Sequence, residues 1–495
     1  MAGGRTSFDP TAAEIKRVLA EQNPWHFDGK VPQELAKVRE RPLAQGLWRR
    51  LLADEPRRFQ IVLGPRRVGK TTVMYQTVRA LLGQGVPANR LWWLRLDHPI
   101  LLQSSMEDLV RHILRETSAS SSAPVFLFFD ELTYGRDWDL WLKTFYDEHW
   151  PVKVAGTSSS VAALRERHVE SGVGRWEEQY LAPYLFDEFL DLVDRAPKIE
   201  VGNTLAETLL RLAASPVHEA ELVPLRVAFS LIGGFPELLL SKDVPLEGDG
   251  EDNQARLLRS QRVLRSDAVE RAIYKDIPQA FGVNDPLLLE RMLYMLAGQF
   301  TRLLSPSALS KNLGLSQPTF DRYLSYLERA FIVFALPNYS GNENVTQRRG
   351  RKLYFVDGAV RNAALQRGTA PLTSPEEMGL LIENMAASHL FALSQQSQVR
   401  VYHWRQGSNE VDLLYDDPGG PLAFEIGTSS SHPRQGMRAF LRKHPRFADG
   451  AWYIAPGLPS RAPGNDETPW GTLPLELFLL AVGRQAAAYL EQRLM

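Results

Sequence analysis

Residues 59 to 78 read Phe-Gln-Ile-Val-Leu-Gly-Pro-Arg-Arg-Val-Gly-Lys-Thr-Thr-Val-Met-Tyr-Gln-Thr-Val. A short aliphatic run ends in Gly64, and Gly69-Lys70-Thr71 then opens a helix-competent pattern. This is the G-x-x-x-x-G-K-[ST] spacing of a phosphate-binding loop, set between a strand and a helix. The glycines let backbone wrap closely around phosphate, so N–H groups and the positive helix end converge on the phosphoryl oxygens. Gly64, Pro65, Arg66, Arg67, Val68, Gly69, Lys70, Thr71 and Thr72 are the expected nucleotide-binding residues. Lys70 adds a point charge, and Thr71 offers its hydroxyl to Mg²⁺.

The 495 residues imply several domains. Hydrophobic and charged fractions of 44% and 23% suit ordinary globular cores. A formal net charge of −1 means that any nucleic-acid contact must come from local basic patches. Cysteine is absent, which excludes disulfides, thiolate metal sites and cysteine nucleophiles. Met1 to Pro10 lacks the apolar core of a signal peptide. No apolar stretch reaches the ~18–20 residues of a membrane span, so a cytoplasmic protein without membrane contact is expected.

Weak helical patterns at Ala12–Glu21 and Pro32–Arg39 flank a turn at Asn23-Pro24-Trp25. This extension can pack on a neighbour or on its own core, and the sequence does not choose. From about Leu47, strand-like and amphipathic segments alternate, as in a parallel sheet with helices on both faces. The apolar run Val125–Phe129 ends in Asp130-Glu131, sixty residues after Lys70. Asp130 is expected to hold Mg²⁺ through its water shell, and Glu131 to polarise the attacking water. The next strand ends in Ala155-Gly156-Thr157-Ser158, so Thr157 and Ser158 are candidates to bond the γ-phosphate or the water, or to cap a helix at Val161–Arg167. Among Arg165, Arg167 and Arg175, the last is the candidate arginine finger reaching a neighbouring subunit, the alternative being a surface arginine paired with Glu166 or Glu170.

Residues 176 to 222 carry ten acidic against three basic residues, as on a solvated face that would repel DNA. Gly233-Gly234-Phe235-Pro236-Glu237 interrupts a helical pattern. Arg256, Arg259, Arg262 and Arg265 precess around a helix, and are read as solvated. Ser305 to Leu324 reads as helix, turn at Gly314 and a second helix capped by Ser316. Strand-like Phe331–Leu336 and Leu353–Val356 follow, joined through Arg348-Arg349-Gly350-Arg351-Lys352. A helix-turn-helix with a basic wing makes Arg322, Arg348, Arg349, Arg351 and Lys352 candidate DNA contacts. Farther on, Glu383, Asp412 and Glu425 fall on a helix and two successive strands. Such oxygen ligands suit Mg²⁺ or Mn²⁺ in phosphodiester hydrolysis.

Together these motifs resemble bacterial and archaeal P-loop ATPases that join an AAA-like core to a winged helix and a C-terminal domain of unknown function related to restriction endonucleases. The carriers are Gly-Pro-Arg-Arg-Val-Gly-Lys-Thr-Thr, Phe-Phe-Asp-Glu, Gly-Thr-Ser-Ser, Gly174-Arg175, Leu185-Phe186-Asp187-Glu188-Phe189 and Gly-Gly-Phe-Pro-Glu. Asp276-Ile277-Pro278, Phe355-Val356-Asp357 and Asn409-Glu410-Val411-Asp412 continue the series. The resemblance implies the branch containing signal-transducing and origin-recognition-like ATPases, where a Gly-x-Pro lid motif contacts the base. That role would fall to Gly234 and Pro236, whose other reading is a helix-breaking turn. Nucleases of the related fold place lysine where this chain has Gly427. Arg405 is a substitute cation, and an inactive domain is expected.

The expected fold class is α/β. A P-loop NTPase parallel sheet with a helical lid precedes a winged helix-turn-helix and a small restriction-endonuclease-like α/β domain. The expected divisions are an N-terminal extension (1–45), the ATPase core (46–225), the lid (226–300), the winged helix (301–356), the nuclease-like domain (357–460) and a helical tail (461–495). ATP and Mg²⁺ are the expected cofactors, DNA the expected partner, and a homo-oligomer with nucleotide at subunit interfaces the expected assembly. A nucleotide-dependent signalling or defence switch is the second reading, and an ATP-gated metal nuclease the third.

Overall fold

The computed structural model describes residues 10–494 other than 38, 54, 160–173, 216–218, 240–250, 343–345, 347–349, 430–434 and 465–468. Arg165, Arg167, Arg348, Arg349 and the Val161–Arg167 segment therefore lie outside the described residues. The chain forms two units: residues 1–64, 69–181 and 491–495 make the first, and residues 65–68 and 182–490 the second.

In the first unit, β1 (Phe59–Leu63), β2 (Leu91–Arg95), β3 (Val125–Asp130), β4 (Val152–Ser158) and β5 (Trp176–Tyr180) form one sheet in the order β2-β3-β4-β1-β5. Every pairing is parallel. β1 and β3 are buried throughout, the environment that the apolar run Val125–Phe129 requires. Strand order departs from chain order, with β4 between β1 and β3. Ligands of such sheets bind beyond the carboxyl ends of the strands where the order switches.

The N-terminal extension packs on its own sheet. β2 is an edge strand, and its backbone would otherwise offer unpaired groups to another strand. Side chains close it instead. Asn23, fully buried, accepts from the Trp93 N–H at 2.6 Å and donates to the Trp93 carbonyl at 3.0 Å. Gln22 accepts from the Arg95 N–H at 2.8 Å, and the Trp25 indole donates to the Leu91 carbonyl at 2.9 Å. Gln76, on the helix Lys70–Gly83, holds the following segment by donating to the Ala36 and Arg39 carbonyls and accepting from the Arg41 N–H.

Apart from residues 65–68, the second unit runs from Ala182, so the expected core boundary at 225 moves back to the end of β5. The reason is packing. Phe186, Phe189, Leu205 and Leu209 share a core with Phe424, Trp452 and Phe478. The helices Pro306–Leu313 and Gln317–Arg329 flank Gly314, and β6 (Val333–Pro337) pairs antiparallel with β7 (Arg351–Phe355). β8 (Val401–Gln406), β9 (Asn409–Tyr415), β10 (Leu422–Ile426), β11 (Ala451–Ala455) and β12 (Gly471–Pro474) form the C-terminal sheet in the order β12-β11-β10-β9-β8. Residues 471–490 are no appended tail: β12 completes this sheet, and Leu475, Leu477, Phe478 and Leu479 of the last helix are fully buried.

The acidic stretch 176–222 also departs from its solvated reading at Asp187, which is 1% exposed. Its Oδ1 has no hydrogen-bond partner among the described residues, and Arg484, 3.7 Å from Oδ2, is committed to Asp191. Burial pushes the carboxyl up to about 8.

Two outcomes are expected. Asn23→Ala leaves the Trp93 amide and carbonyl buried without partners, so the first unit should lose about 2 kcal/mol in urea denaturation. An unchanged midpoint would show that the extension is not what closes β2. Folded Asp187 keeps its proton from about pH 4, where an unfolded aspartate ionises, up to about pH 8. Its contribution is therefore complete at low pH and lost as pH rises through that window. Between pH 5 and pH 8.5 the melting temperature of Asp187→Asn should fall by a few degrees less than that of wild type.

Candidate functional site

The phosphate loop leaves the end of β1. Gly69 is left-handed (φ 95°), and the helix begins at Lys70. Lys70 is buried, and its ammonium donates to the Gly64 carbonyl at 2.9 Å. Thr71 on the first turn donates to Asp130 at the tip of β3, with Oγ1 3.1 Å and 3.2 Å from the two carboxylate oxygens. From β4, Thr157 donates to Asp130 Oδ1 at 2.7 Å and accepts from the Glu131 N–H at 2.9 Å. Register explains the meeting. Val62 of β1 lies opposite Thr157, and Phe129 of β3 opposite Gly156, so the strand tips converge on one point. Ser158 is fully buried opposite Leu63.

Asp130 is 6% exposed, and burial raises its pKa against hydrogen bonds from Thr157 and Thr71 and the charge of Lys70. Glu131 is left-handed (φ 54°, ψ 53°). A non-glycine residue adopts that conformation at a cost of about 1–2 kcal/mol, and strain of this kind collects at working sites. Here it turns the chain sharply at the strand tip while the Thr157 hydroxyl holds its N–H. The donor set fits Mg²⁺ and nucleotide. Thr71 would be the direct ligand, Asp130 would face the water shell, and Lys70 would exchange a carbonyl for phosphate.

Residues 56–190 match the family described as AAA domain. They form an AAA domain. Residues 227–370 and 378–457 match two domains of unknown function, DUF8612 and DUF4143. An uncharacterized protein of Methanocaldococcus jannaschii is 21% identical over 364 residues, 72% of each chain. One from Haemophilus influenzae is 21% identical over 331 residues, 66% of this chain and 74% of that one. Among solved structures, the ORC1 protein of Aeropyrum pernix in complex with DNA is 15% identical, with 71% of this chain and 98% of that one covered at a TM-score of 0.31. Cdc6p of Pyrobaculum aerophilum is 13% identical, with 74% and 97% covered at a TM-score of 0.25.

Other expected residues of the AAA domain fall elsewhere. Arg175 precedes β5, whose Trp176 lies opposite Phe59, which puts it roughly 20 Å of strand from the phosphate loop. There it holds Asp147 with two bonds of 2.8 and 2.9 Å. Arg66 and Arg67 count with the second unit. Arg66 reaches both oxygens of Asp276 at 3.0 and 2.8 Å, and Arg67 reaches Asp267 at 2.6 Å. Their side chains are thus committed to carboxylates. Gly234 donates to Asp357 Oδ2 at 2.7 Å, and a Cβ there would lie 2.1 Å from the Tyr184 carbonyl oxygen. The Gly-Gly-Phe-Pro turn is therefore a close-packed joint of the second unit. Pro236 starts a short helix beside it.

The DNA candidates separate. Arg322 is exposed. Arg351 lies 3.9 Å from Glu328. The assignment of Lys352 to DNA is corrected: it is 3% exposed, its ammonium 2.7 Å from Glu383, 2.6 Å from Glu410 and 3.3 Å from Asp412. Alternation on the strands explains this, because Lys352 and Tyr354 share one face of β7, as Glu410 and Asp412 share one face of β9. Tyr354 donates to Glu383 at 2.9 Å. Glu425 is buried on β10. Burial disfavours the ammonium, but Glu383, Tyr354, Asp412 and Glu410 together raise the Lys352 pKa well above the ordinary lysine value. Sequence reading missed the role of Lys352, and the i, i+2 carboxylates of Asn-Glu-Val-Asp were the available signal.

Removing the hydroxyl that links Asp130 to Glu131 should cost turnover rather than binding. In phosphate-release assays, Thr157→Ala should lower kcat about 10- to 100-fold, and Thr157→Ser should stay within about threefold of wild type. Equal activity of all three proteins would remove Thr157 from the site.

Proposed function

We propose that the chain is a Mg²⁺-dependent ATPase whose turnover is coupled to DNA, and that it works as an oligomer with nucleotide at subunit interfaces. The observation that carries this reading is the convergence of Lys70, Thr71, Asp130, Glu131 and Thr157 at the carboxyl ends of β1, β3 and β4. In it, the loop N–H groups and Lys70 bind phosphates, Thr71 and Asp130 hold the metal and its water, and Glu131 polarises the attacking water. Thr157 and Ser158 would be the hydroxyls that report on the γ-phosphate. DNA would meet the amino-terminal half of the helix Gln317–Arg329. There Gln317, Pro318 and Arg322 are exposed, and reading helices touch base edges with that end.

A specific observation favours a second reading, a nucleotide-dependent switch indifferent to DNA. The rest of that helix is withdrawn from solvent: Tyr323 and Tyr326 are buried, and Tyr326 stacks on Phe281 at 4.0 Å. Lys352 is likewise internal.

Steady-state ATP hydrolysis without DNA and with single-stranded, duplex and branched DNA separates the readings. Stimulation by one DNA form that Arg322→Ala loses while basal turnover persists, with Glu131→Gln inactive throughout, is the expected result. Slow turnover unmoved by DNA, with nucleotide-dependent oligomer size, would favour the switch. Absence of nucleotide binding would overturn both.

A further inference from the structure

The resemblance of the C-terminal domain to restriction endonucleases implies a divalent cation among Glu383, Asp412 and Glu425, and the residues present do not fit one. The space beside Glu383, Glu410 and Asp412 holds the Lys352 ammonium, at N···O distances of 2.7, 2.6 and 3.3 Å. One oxygen of each carboxylate thus faces the ammonium. Among the described residues no group of acidic and histidine side chains has the spacing of a metal site. Further contacts engage some of the same carboxylates, the Tyr354 hydroxyl sharing Glu383 Oε1 with Lys352. Asp412 Oδ2 accepts from the Ile426 N–H at 2.9 Å, and Arg405 lies 3.4 Å from Glu410 Oε2.

Nor can a lysine enter from the end of β10. A Cβ on Gly427 would lie 2.1 Å from the Tyr453 hydroxyl oxygen. The cation arrives instead from β7. The hairpin that carries it is joined to the C-terminal sheet at a second place, where Asn338 exchanges side-chain bonds of 3.2 and 3.1 Å with the Arg405 backbone and the Tyr339 N–H donates to the His403 carbonyl at 2.8 Å.

We propose that the Lys352 ammonium occupies the divalent-cation position of the nuclease-like domain. The carboxylate cluster is thereby an internal ion lock fastening the β6–β7 hairpin to the C-terminal sheet. Glu383, Glu410 and Asp412 serve as counter-ions, and the domain takes up no metal there.

Two measurements on nucleotide-free full chain test this. In wild type, Lys352 resists amine acylation read by peptide mass spectrometry, and adding Mn²⁺ leaves it resistant. Labelling of Lys352 that appears with Mn²⁺ would mean that metal displaces the ammonium, and would overturn the proposal. Mn²⁺ binding followed by electron paramagnetic resonance should rise by one equivalent per chain in Lys352→Ala, or in the bulkier Lys352→Met. It should return to the wild-type level in Lys352→Ala with Asp412→Asn. No gain in a folded Lys352 variant, or a wild-type Mn²⁺ equivalent lost in Asp412→Asn, would equally overturn it. The labelling arm stands even where a variant fails to fold.

Discussion

The buried carboxylate of Asp130, held between hydroxyls from two other elements, is the interaction on which the AAA domain's arrangement depends. Thr71 comes from the helix after β1, and Thr157 from the end of β4. A carboxylate that is 6% exposed is costly to bury alone, so these contacts fix strand register and helix position as much as they prepare a metal site. The same bonds reach Glu131 through its N–H. One network therefore joins the helix after β1 to the tips of β3 and β4. Its precision comes from parallel strands ending at the same level.

The same physics acts elsewhere with a different result. Around Lys352 several carboxylates converge, but there the protein supplies the cation itself. Breaking a buried ion pair by deleting one partner typically costs 3–5 kcal/mol or about that, so the cluster is well suited to holding two substructures together. The N-terminal extension shows the neutral version. Asn23 and Gln22 satisfy backbone groups of β2 that a neighbouring strand would otherwise take.

The fold class was legible because its signals are local. Apolar runs of strand length, the loop spacing and acidic residues at a strand tip place β1, β3 and Asp130 without tertiary information. The helix-turn-helix was legible from Gly314 and the Ser316 cap for the same reason. What stayed hidden depends on contacts distant in sequence. Lys352 looks like a wing-tip cation until Glu410, 58 residues away, is seen beside it. Arg66 looks like a phosphate ligand until Asp276, 210 residues away, takes it. Nothing local marks Asp187 as buried, because the helix that covers it lies near the C-terminus. Charged residues read as surface groups whenever their partners lie far along the chain.

The central claim is that Thr71 and Asp130 form, with the phosphate loop, a metal-dependent nucleotide site. Its most direct test is the affinity for a fluorescent ATP analogue in Mg²⁺ and in excess EDTA, for wild type and Asp130→Asn. The account predicts that Mg²⁺ tightens wild-type binding at least about tenfold, and that Asp130→Asn loses this gain while still binding nucleotide in EDTA. Wild-type affinity indifferent to Mg²⁺, or a gain preserved in Asp130→Asn, would contradict it.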